Sequence, residues 1–134
     1  MKDIVIEELQ PMFTTVVTTL DTYDEDLVLD GVIQSPKGTL KLYQRVIAVG
    51  PNVRDVKVGD LVLLNLTNYI KRKFRDDSIK ADIEKMEDIP VIDFPKLLIG
   101  DKLYGKFQDR DIDGIITKHR EVDIETNVTS NNLL

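Results

Sequence analysis

Few residues in this chain could do chemistry, and their spacing limits them further. The one histidine, His119, stands between Lys118 and Arg120, and the 134 residues contain no cysteine. A Cys–His nucleophile pair, a zinc–thiolate centre and a histidine-rich zinc site are therefore excluded. A serine triad would have to use His119, and no G-x-S-x-G elbow occurs, so His119 reads as a solvated member of a basic patch. Asp109-Arg110-Asp111-Ile112-Asp113-Gly114 opens like a calcium loop of the D-x-D-x-D-G type. Its twelfth position, where a bidentate glutamate should close the site, is Arg120, and Glu121 comes one residue too late. The residues before it alternate like a strand, so an acidic β-turn without metal is expected. Lys71-Arg72-Lys73-Phe74-Arg75 is basic with an aromatic. Asp76, Asp77, Asp82, Glu84, Glu87 and Asp88 follow directly, which makes a mixed, solvated charge face. Gly31, Gly38, Gly50 and Gly59 lie too far apart to cradle a phosphate. No catalytic residue, metal ligand or cofactor site is expected, and the chain reads as non-enzymatic.

Composition points the same way. Lys and Arg number 18 against 24 Asp and Glu, a net charge of -6. An acidic surface repels a phosphate backbone, which argues against general nucleic-acid binding. No apolar run reaches the ~20 residues of a membrane helix. The N-terminal Met1-Lys2-Asp3-Ile4-Val5-Ile6-Glu7-Glu8 is charged too early for a signal peptide. A soluble cytoplasmic protein is expected, without membrane partners. The length suits one domain with a real core.

The elements follow from period and punctuation. Met12 to Leu20, rich in β-branched residues, predicts a strand. Asp21 to Asp26 is an acidic loop, and Leu27 to Ile33 is apolar but broken by Asp30-Gly31. Ser35-Pro36-Lys37-Gly38 is turn chemistry. Thr39 to Val49 alternates around Leu40, Leu42, Val46 and Ala48 and stops at Gly50-Pro51-Asn52. After a compact turn over Val53 to Asp60, Leu61 to Leu66 forms a continuous apolar strand, the pattern of a strand covered on both faces. Val46, Ala48, Val58, Val62 and Leu64 are the expected core. Ile79, Ile83 and Met86 predict a short amphipathic helix at about 78–87, ended by Pro90. Val91 to Pro95, Lys96 to Gly100, Lys102 to Phe107 and Asp111 to Thr117 are the later extended segments. A polar tail occupies 121–134. Several short strands at this spacing imply a mainly β domain, a small barrel or sandwich.

Three segments together resemble the GroES-type co-chaperonins. Arg45-Val46-Ile47-Ala48-Val49-Gly50-Pro51, then Val56-Lys57-Val58-Gly59-Asp60-Leu61-Val62-Leu63-Leu64, is similar to the family's "V-V-A-V-G" strand and "V-K-V-G-D-x-V-L-L" block. Asp30-Gly31-Val32-Ile33-Gln34-Ser35-Pro36 is similar to its mobile loop, "G-G-I-x-L-P". Tyr104 to Gly114 is similar to its closing strand and turn. The resemblance runs from about Glu8 to about Lys118. It implies a small GroES-like β-barrel over 1–120, interrupted by an insertion at about 69–97 that carries the amphipathic helix. It further implies a homo-oligomeric ring that caps a chaperonin and assists folding of client proteins. Val32 and Ile33 would dock on the partner, with Leu27, Val28 and Leu29 as further apolar candidates. The departures are specific. Only Asn52 to Asp55 separates Pro51 from Val56, too few residues for the family's roof hairpin, a loss known in phage-encoded relatives. Gln34 takes the place of the third apolar docking position. An alternative expectation is therefore a virion structural or capsid accessory protein that reuses the barrel.

Overall fold

The computed structural model describes residues 1–74 and 88–123. Among the described residues there are ten strands, in the order β1 (Thr15–Thr18), β2 (Leu27–Leu29), β3 (Val32–Ser35), β4 (Tyr43–Val49), β5 (Leu61–Leu64), β6 (Ile70–Phe74), β7 (Asp88–Ile92), β8 (Lys96–Ile99), β9 (Lys102–Gln108) and β10 (Ile112–Ile115). The helical pieces among the described residues are three-residue 3-10 turns at Thr67–Tyr69 and Asp109–Asp111. The protein is thus mainly β, as expected. The helix expected at 78–87 lies outside the described residues. The described parts of the 69–97 stretch are largely strand: β6 and β7 pair in register from Ile70↔Ile92 to Phe74↔Asp88.

Six strands form one antiparallel sheet in the order β10-β5-β4-β1-β9-β8. This sheet cannot be flat. On a flat sheet β9 and β10 would lie four strand spacings apart, about 19 Å at the usual ~4.8 Å. Only Asp109–Asp111 separates Gln108 at the end of β9 from Ile112 at the start of β10. Even fully extended, that link spans no more than ~14 Å, and it is a 3-10 turn. The sheet must curl to bring β9 and β10 together at this end. The core fills the inside of the curl: Val16 from β1, Val46 from β4, Val62 and Leu64 from β5 and Phe107 from β9, with Leu66 and Phe94. Phe107 meets Phe94 at 5.2 Å between ring centroids and Tyr69 edge-on at 5.8 Å.

Local chemistry explains the strand ends. The strand expected from Met12 begins only at Thr15. Phe13 has φ +57°, and the Thr15 amide donates to the Met12 carbonyl, so the chain turns before it extends. The same corner crowds Gly50: a Cβ there would fall on the Phe13 carbonyl oxygen and the Met12 backbone. Val46, Val62 and Leu64 are buried as expected, but Ala48 is only half-buried and Val58 is 62% exposed. Val58 is the second residue of a β-turn closed by Asp60 N donating to the Lys57 carbonyl (3.1 Å), a position that points to solvent. Gly59, with φ +96°, supplies the third residue of that turn, and the Asp60 carboxylate accepts from the Lys57 amide (2.8 Å). β5 is not covered on both faces: Leu63, paired with Tyr43, is exposed between the buried Val62 and Leu64. In β4 the inward position ahead of Val46 is taken by Gln44, while Leu42 is exposed.

Candidate functional site

From Asp21 to Lys41, between β1 and β4, the chain makes a long excursion from the sheet, and this arm carries the apolar residues singled out for partner binding. Its base is built around Gln44, which is fully buried. The Gln44 Oε1 accepts from the Thr19 hydroxyl (2.9 Å) and the Asp21 amide (2.8 Å). Its Nε2 donates to the carbonyls of Asp21 (2.9 Å) and Lys41 (2.7 Å). All four hydrogen-bonding capacities of the side-chain amide are met. One side chain thereby ties the outgoing stem to the returning stem.

Beyond the base the stems remain paired. Thr22 bridges Leu40, Tyr23 N donates to the Thr39 carbonyl (3.0 Å) and Gly38 N to the Tyr23 carbonyl (2.8 Å). Pro36 to Thr39 is a β-turn with Gly38 at φ +87°, closed by Thr39 N on the Pro36 carbonyl (3.0 Å). The Asp26 carboxylate accepts from the Lys37 amide (2.7 Å) where the arm widens into its outer hairpin. That hairpin is β2 and β3, joined at Asp30-Gly31, both with positive φ (+53° and +78°). Two such residues make the primed turn whose twist fits antiparallel strands.

The five predicted docking residues divide between the two faces of this hairpin. Leu29 and Val32 are cross-strand partners, so they share a face. They are 52% and 59% exposed. Val28 and Ile33 pair on the other face: Val28 is fully buried and Ile33 is 47% exposed. Leu27, beyond a register shift that separates it from Val28, is half-buried opposite Ser35. The structure thus groups Leu29 with Val32 at the tip, and Val28 serves packing. The sequence signal for this geometry is Asp-Gly between two apolar runs, the pattern of a two-residue hairpin. Gln44 escapes detection because three of its four hydrogen bonds reach Thr19 and Asp21, more than twenty residues away.

The acidic turn is a structural element. Asp111 is buried, and its Oδ2 accepts from the Tyr69 hydroxyl and from the Gln108 amide (2.9 Å). Asp113 accepts from the Asn65 side-chain amide (3.3 Å). Among the described residues no group of three His, Cys, Asp or Glu side chains could hold a metal ion. Burial and the contact with Asp111 push the Tyr69 phenol up to about 12. The basic strand β6 makes a surface contact, Lys71 to Asp93 at 3.2 Å, of a kind worth little to stability. Among the described residues no helix is long and apolar enough to cross a membrane. No protein-family model matches the chain, and no curated protein matches it.

Proposed function

We propose that this protein is a non-enzymatic, co-chaperonin-like subunit that docks on a partner assembly through the tip of its β2–β3 arm. The observation that carries the reading is the exposed Leu29–Val32 pair on a hairpin braced along its whole length. Both side chains are more than half exposed and neither belongs to the core cluster, so burial within the fold does not account for them. Burying both side chains on a partner could contribute ~3–5 kcal/mol gross per arm. A preformed hairpin loses less entropy on docking than a floppy loop. In a ring of identical subunits the arms act together, and avidity raises a weak single contact. The resemblance to the GroES-type family supplies the partner, a chaperonin in the cytoplasm. The curled six-stranded sheet suits closure into that family's small barrel, and the short Gly50 to Asp60 connection suits its roofless form.

The test is a pull-down of the full chain on a chaperonin with nucleotide present. The parent should bind, and Leu29→Ser with Val32→Ser should not, while both keep the same melting temperature. Failure of the unmutated protein to bind would sink the chaperonin reading.

One observation favours a second reading, a virion structural or capsid accessory protein. β6 and β7 form a separate two-stranded arm, and its cross-strand pair Ile70 and Ile92 is exposed on both strands. Two arms that each carry an exposed apolar pair suit a subunit held among several neighbours. Native mass measurement separates the two: a free ring supports the first, and assembly only with different chains supports the second.

A further inference from the structure

At the base of the arm, on the outer face of the sheet, several cationic and aromatic side chains meet. Tyr43 and Arg45 lie two residues apart on β4, so both point to one face. Leu61, the cross-strand partner of Arg45, lies beside them. The Ile116 amide donates to the Leu61 carbonyl (2.8 Å), which lays the segment after β10 along the same strand. These residues wall a cleft of about 650 Å³, completed by Tyr23, Leu27 and Lys41 from the arm and by His119 and Arg120 after the last strand. That volume is in the range of small-molecule sites.

The cleft has a specific charge pattern. The Lys41 ammonium lies 5.3 Å from the Tyr23 ring centroid and 5.5 Å from that of Tyr43. Attraction to two ring faces fixes a side chain that is otherwise flexible. Arg45 spends one N–H on the Gly59 carbonyl (2.9 Å) and keeps its other donors. The salt bridge found among the described residues joins Lys71 to Asp93, so Lys41, Arg45 and Arg120 have no carboxylate partner there. Asp21 and Glu121 also line the cleft, which sets two carboxylates against three permanent cations. So small an excess suits a compact anion and not a polyanion. Leu27, Leu61, Ile116 and the tyrosine rings offer an apolar wall.

We propose that this cleft binds a small organic anion, with a flat apolar body against Leu27, Leu61 and Ile116 and a phosphate or carboxylate head met by Lys41, Arg45 and Arg120. The site is separate from the arm's tip and stands whether or not a chaperonin is the partner.

The test uses the full chain, followed by amide chemical shifts and calorimetry. Phenyl phosphate and phenylacetate are the probes, with inorganic phosphate and benzyl alcohol as head-only and body-only controls. At least one probe should saturate, shift the amides of Tyr43, Leu61 and Ile116, and bind more tightly than either control. Lys41→Gln and Arg120→Gln should each weaken it about tenfold, the usual effect of losing one charge-assisted contact. Arg120 lies beyond the last strand, so its variant keeps the test decisive if Lys41→Gln disturbs the arm. Absence of saturation with both probes, or affinity unchanged in both variants, would overturn the proposal.

Discussion

Asp111 and Tyr69 show how a residue that resembles a metal ligand is used for structure. The Asp111 carboxylate is buried, and its Oδ2 accepts from a phenol and a backbone amide. That network ties the 3-10 turn after β5 to the one between β9 and β10. The Tyr69 phenol is pushed up to about 12 by burial first, then by its hydrogen bond to Asp111 and the carboxylate's charge. A pKa raised on folding means that the proton contributes stability in full below the unfolded value of about 10, and that this contribution is lost as pH rises to about 12. Tyr69→Phe should therefore be less stable than the parent at pH 8, by about 1–2 kcal/mol. The gap should close toward about pH 12, as the parent's phenol ionises. Urea midpoints across that range measure it, and a gap that does not change with pH would mean that the hydroxyl contact is not its source. The sequence shows three aspartates at even spacing, and spacing alone cannot reveal that the middle one faces inward. That depends on Tyr69, which lies 42 residues earlier.

Elements defined by their own residues were readable in the sequence. β9 alternates polar and apolar from Lys102 onward and was found where the pattern places it. The turn at Lys57 to Asp60 follows from Val-Lys-Val-Gly-Asp, because glycine there accepts a positive φ. Elements shaped by distant contacts were not readable. β1 is shorter than its β-branched run because of the corner against Gly50, and β4 buries Gln44, which the alternation around Leu40, Leu42, Val46 and Ala48 leaves out, while Leu42 is exposed. The candidate site divides in the same way. Its apolar residues and its Asp-Gly tip are visible in the sequence, whereas its anchor is not. Gln44→Leu tests that anchor. The variant keeps the volume but leaves polar groups of Thr19, Asp21 and Lys41 without their partner, at an expected loss of about 2–4 kcal/mol. Amide exchange should quicken at Tyr23, Gly38 and Lys41, whose amides pair the stems, more than at Val16 or Phe107 in the core. Equal acceleration at both sets would show that Gln44 supports the whole sheet and has no special hold on the arm.

At the scale of the whole molecule, the sheet order is the feature least visible in the sequence. β1 lies between β4 and β9, so its neighbours come from the middle and the end of the chain. No local pattern specifies such pairings. The order leaves β10 and β8 as the outer strands, and no ladder joins them among the described residues. Outer strands carry unpaired backbone groups that a second chain can satisfy. β8 combines this with apolar surface: Leu98 pairs with Leu103 of β9, and both are more than half exposed. A monomer gains only a modest cross-strand contact from that pair, whereas a subunit packed against its own copy would bury it at the joint between strands. Leu98→Lys is therefore expected to leave the isolated fold intact, since the side chain already meets solvent. In the assembly it should place a charge at a buried contact, which is unfavourable without a partner. Native mass spectrometry and sedimentation should show the parent as a homo-oligomer and the variant shifted to smaller species, with the same melting transition at low concentration. If the parent is monomeric, or if the variant assembles as the parent does, the β8 edge is not where copies meet.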